Sequence, residues 1–79
     1  MTSVTIKKEI IEELIDFKLN SLVKEINRIL SKWNYHVITD FLEHARNGTL
    51  EEAEDDAIDL TNLIDQRDEL HKLKTNLTA

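Results

Sequence analysis

Glu52, Asp55, Asp56 and Asp59 follow one another at offsets of three, four and seven residues. On a helix these offsets place all four carboxylates on one face. Neighbours so placed repel one another by about a few tenths of a kcal/mol per close pair. Water can screen that repulsion, Mg²⁺ can bridge it, or a basic protein surface can neutralise it. A charge run is ordinarily a solvated helix face, and the partner surface is the next reading. Asp40 and His44 at four residues, and Asp68 and His71 at three, are pairs that could each ligate a metal. A di-iron carboxylate centre needs matching sets on several helices, and no second set accompanies either pair. No metal site and no cofactor is therefore expected.

Other chemistries lack their residues. There is no cysteine, which removes disulfides, thiolate zinc sites and a thiol nucleophile. The single glycine, Gly48, cannot form a phosphate-cradling loop. No serine, histidine and aspartate stand in a supporting context for nucleophilic catalysis. The reading is a protein without a catalytic centre.

The elements that carry these residues are helices. Proline is absent and glycine occurs once, so turns are few. Ile11, Ile15, Leu19, Leu22, Ile26, Ile29 and Trp33 recur at steps of four and three. This is the a/d seam of a helix packed lengthwise on another, and it predicts a helix over residues 7–33. Ile10, Leu14, Val23 and Leu30 widen the stripe toward a core-facing width. Ser3 or Thr5 is the expected N-cap. Asn34-Tyr35-His36 breaks the pattern, and a short helix follows over 37–46, with Ile38, Phe41, Leu42 and Ala45 on one side. Gly48 suits a left-handed helix stop. Thr49 and Glu52 read as a capping box that starts the last helix, over 50–74. Its buried side is Ala53, Ala57, Leu60, Leu63, Ile64, Leu70 and Leu73.

The expected fold is therefore an all-α small helical bundle in one domain, 1–79. Two long helices form an antiparallel hairpin and the short one lies across it. Residues 1–8 are an N-terminal arm or short strand, and 75–79 a frayed C-terminus. A chain of 79 residues buries a modest core, and three unequal helices leave apolar surface uncovered. A homodimer or another homo-oligomer is the expected remedy. Trp33 and Tyr35 either close the corner between the first two helices or form a binding hot spot.

The net charge of −6 is unevenly distributed. Residues 1–40 balance six Lys/Arg against six Asp/Glu, whereas residues 41–79 set four against ten. The acidic half disfavours non-specific nucleic-acid binding and favours a basic protein partner. No apolar run approaches the roughly 20 residues of a membrane span. Met1 is not followed by a basic and then apolar signal segment, so a cytoplasmic location without membrane contact is expected.

Three stretches resemble known families. Glu12, Glu13 and Asp16 with Glu52 and Asp55 resemble the paired acidic motifs of MazG-like nucleotide pyrophosphohydrolases. That resemblance implies Mg²⁺ held between two facing helices and water activated against a nucleoside triphosphate. Residues 3–33 resemble a ribbon-helix-helix DNA-binding domain. It implies a dimer whose residues 4–7 form a strand, with Thr5 and Lys7 on double-stranded DNA. Asn20 and Ser21 would cap a second helix over a phosphate, and Lys24, Arg28 and Lys32 would add a basic stripe. Residues 30–73 resemble small archaeal VapB-type antitoxins, which implies binding to a ribonuclease toxin. The expected function is a non-enzymatic interaction protein, antitoxin-like or regulatory. Its expected partner surface is Glu52, Asp55, Asp56, Asp59, Trp33 and Tyr35. DNA-binding transcription regulation is the alternative, and nucleotide hydrolysis the remote one.

Overall fold

The structure, a computed structural model, describes residues 7–78. Three α-helices, α1 (Lys8–Lys32), α2 (Ile38–Arg46) and α3 (Glu54–Thr78), account for most of it, and no strand occurs among the described residues. The expected strand at 4–7 and the N-caps Ser3 and Thr5 lie outside the described residues, apart from Lys7. Lys7 is extended (φ −60°, ψ 132°) and its carbonyl accepts the first helical bonds, from Ile10 and Ile11.

α1 ends in a Schellman motif. Asn34 takes the left-handed conformation, φ 61°, which costs Asn less than most residues. Its N–H donates to the Ser31 carbonyl at 3.1 Å, and the Tyr35 N–H donates to Leu30 at 2.9 Å. Two orphan carbonyls are satisfied, and the chain turns sharply enough for α2 to fold back on the core. The second left-handed residue is Gly48, φ 88°, which closes α2 as its glycine predicted.

Two expected boundaries move. Thr49 does not cap the last helix: the turn that follows has Leu50 at its N-cap with no side-chain cap hydrogen bond, and the Thr49 N–H and hydroxyl donate to the Asn47 side chain, at 3.0 and 2.6 Å. A short 3₁₀ turn, Glu51–Ala53, intervenes, and α3 starts only at Glu54. At the other end α3 runs through Thr78, past the expected boundary at 74. Leu77 is half-buried there, and the Thr75 hydroxyl donates to the His71 carbonyl at 2.9 Å.

α1 and α3 run antiparallel. Asp16 near the start of α1 meets Lys74 near the end of α3, and Lys32 at the end of α1 meets Asp56 at the start of α3. The predicted seam faces inward: Ile15, Leu19, Leu22, Ile26 and Ile29 are buried, with Ile11 and Trp33 half-buried at its ends. α2 packs on α3 at one end only. There a compact core forms around Ile26, Ile29, Leu30, Phe41, Ala53 and Leu60. Ala53 is fully buried, and its small side chain permits the close approach its type predicted. Among the described residues the opposite end is a two-helix hairpin. Ile10, Leu14 and Val23, expected to widen the core stripe, are exposed there, as are Leu73 and Phe17. The reason is geometric: one neighbouring helix covers only one side of a helix.

Candidate partner surface at the acidic end

α3 does not present its four acids as a set. Asp56 lies on the α1 side, where its Oδ2 accepts hydrogen bonds from Lys32 Nζ and Trp33 Nε1, both at 2.8 Å. The Lys32 bond, then the Trp33 bond, hold its carboxyl below the usual carboxylate range. Lys32 also sits 5.5 Å from the Trp33 ring centroid. Asp56 thus ties the end of α1 to the start of α3. Glu52, Asp55 and Asp59 remain exposed and make no ion pair among the described residues.

Trp33 and Tyr35 are half-buried in the corner. Both rings meet Phe41, with centroids 6.4 Å and 5.5 Å away, the latter edge-on. The Tyr35 hydroxyl shares a 2.6 Å hydrogen bond with His44 Nδ1. Each aromatic therefore contributes to the core and keeps its polar atom satisfied. His44 Nδ1 is taken up by the Tyr35 hydrogen bond. Asp68 meets the neighbouring Arg67 at 3.4 Å, and His71 is exposed. Among the described residues no group of three or more His, Cys, Asp or Glu converges to hold a metal.

A groove of about 820 Å³ opens between α2 and α3, on the side away from α1. Leu42, Ala45, Ala57 and Ile58 give it an apolar floor, and Glu51, Glu54 and Arg46 are the charged residues that line it. Ile58 is 54% exposed. Neither Ile58 nor Glu54 belongs to the residues the sequence singled out. The available signal was an isoleucine immediately beside the Ala57 seam position, with no partner assigned to it.

The acidic motifs that resemble a pyrophosphohydrolase site do not come together. Glu12, Glu13 and Asp16 lie at the two-helix end, where Asp16 is 2.6 Å from Lys74, whereas Glu52 and Asp55 lie at the other. The nineteen positions of α3 between Asp55 and Lys74 span about 28 Å. The ribbon-helix-helix expectation also fails at its pivot. Asn20 and Ser21, expected to cap a second helix, sit in the middle of the continuous α1, so their amides are spent within it and cannot hold a phosphate. Lys24 is exposed, and Arg28 pairs with Glu25 at 3.0 Å. Thr5 lies outside the described residues. No helix of the described residues is long and apolar enough to cross a membrane.

Comparison with protein-family models, with curated proteins and with solved structures finds no match to this chain.

Proposed function

We propose that this chain is a non-enzymatic interaction protein that docks an amphipathic, basic segment of a partner protein at its acidic end. The observation that carries this reading is the α2–α3 groove. It combines an open apolar floor, including Ile58, with two carboxylates, Glu51 and Glu54, against one cation, Arg46. An amphipathic helix binds such a groove by its apolar face, and flanking Lys or Arg meet the rim. Glu52, Asp55 and Asp59 extend the negative field around the site and accelerate encounter with a cationic surface. A basic ribonuclease toxin is one partner of this chemistry, which makes an antitoxin-like role the leading form of the proposal. Self-association belongs to the same reading, on a different face.

The test is affinity capture from native extract of the wild type and of Ile58→Glu, at low and high salt, with identification of the bound proteins. A basic protein retained at equal stoichiometry, lost at high salt and lost with Ile58→Glu, is expected. Retention unchanged by both the salt and the substitution contradicts the proposal.

A further inference from the structure

α1 carries a second apolar seam beside its core-facing one, about a third of a turn round the helix. Ile10, Leu14 and Phe17 follow at steps of four and three, and they are 47%, 65% and 78% exposed. The buried seam starts at Ile11 and is displaced round the helix, so no residue serves both. With Leu14 at heptad position a, Ile10 and Phe17 fall at d, Glu13 at g and Lys18 at e. Glu13 and Lys18 are exposed and make no ion pair among the described residues.

We infer that this seam pairs with the same seam of a second copy of the chain, helix α1 parallel to helix α1. Two observations select that occupant and direction. First, beside Leu14 and Phe17 one edge of the seam carries Glu13 and the other Lys18. Parallel helices bring position g of one against position e of the next heptad in its partner, so Glu13 meets Lys18 of the second copy, twice by symmetry. An antiparallel pair would set the acidic edge against the acidic edge. Second, the apolar area fits a modest dimer. The three side chains expose roughly 400 Å², at the scale of a functional patch. Doubled, it gives roughly 800 Å², the scale of a weak, reversible association and below that of a standard-size interface. Lys24 and Arg28 continue the same face. Their like charges limit the contact to residues 10–21, beyond which the two helices diverge.

The parallel arrangement places both acidic ends on the same side, so a dimer presents two grooves to one partner assembly. The pairing itself stands on a different face from the groove. Its failure would leave the groove reading untouched.

Sedimentation equilibrium of the wild type is expected to show a monomer–dimer equilibrium with a dissociation constant on the order of 10 µM. Phe17→Glu should weaken it at least about tenfold, with helicity and melting of the monomer retained because Phe17 is exposed. Glu13→Lys and Lys18→Glu should each weaken it severalfold, and the double reversal should restore it. The chain has no native cysteine, so Ile10→Cys reports direction cleanly, and oxidation should link it to a second copy. A wild type that stays monomeric at millimolar concentration overturns the inference. So does an Ile10→Cys that links only to Phe17→Cys, the mark of an antiparallel pair.

Discussion

The chain has two phenylalanines, and the structure treats them oppositely. Phe41 is fully buried at the three-helix end, and Phe17 is 78% exposed at the two-helix end. Both stand on amphipathic helices of ordinary composition. The difference is the neighbour count of the element, not the residue. α2 folds back over α3 and gives Phe41 walls on several sides, including the Trp33 and Tyr35 rings. Among the described residues no helix plays that part for α1 at Phe17. A hairpin of two helices buries one seam per helix and leaves a second seam uncovered.

The largest test of this contrast is substitution of the two phenylalanines. Phe41→Ala should cost about 3–5 kcal/mol, a large share of the stability of a domain this small. Phe17→Ala, measured by urea denaturation at concentrations where the protein is monomeric, should stay within about 0.5 kcal/mol. Equal losses at both positions would erase the distinction between the ends.

Next come the two left-handed residues that bring α2 onto the core. Asn34→Ala and Gly48→Ala should each cost about 1–2 kcal/mol, because a Cβ without a compensating side chain disfavours positive φ. At Gly48 the added Cβ meets nothing within 4 Å, so that loss is purely backbone strain. Asn34→Gly should be tolerated. Thermal melts of the three variants give the order.

The Asp56 tie gives the closed end a pH dependence. Its carboxyl titrates lower folded than unfolded. Its contribution is therefore complete above the unfolded value near 3.8, and is lost as pH falls below that through the lower folded value. Asp56→Asn should flatten the fall in melting temperature between neutral pH and pH 3 relative to the wild type. An identical slope would show that Asp56 adds nothing to acid sensitivity. The smallest effect belongs to the open end, where Asp16 meets Lys74 across half-exposed surface. Asp16→Asn should change stability by less than about 1 kcal/mol.

The sequence carried the long-range order of the helices well. The seam from Ile15 to Trp33 is a strict heptad, and a strict heptad has few other solutions. Gly48 marked its turn because no other residue adopts φ near +90° cheaply. Asn34 did the same job with less signal, since Asn also occupies ordinary loop conformations. The capping box failed because the chain makes a 3₁₀ turn from Leu50 first and starts α3 only at Glu54, while Thr49 folds back on the Asn47 side chain. Local spacing cannot reveal that competition. Ile10 and Leu14 looked like core because a helical wheel shows which residues share a face and not whether a neighbour faces them. The acidic set was legible as a set. Its division into one tied and three exposed carboxylates was not, because the Lys32 that claims Asp56 lies 24 residues away.

Native-state hydrogen exchange at two protein concentrations, a few micromolar and several hundred micromolar, tests the contrast between the ends most directly. Amides around Leu30, Phe41 and Leu60 should show the same protection at both concentrations, close to the global stability. Amides over residues 10–21 of α1 should be less protected in the dilute sample and gain protection in the concentrated one. Protection over 10–21 that already matches the three-helix end and ignores concentration would contradict the account.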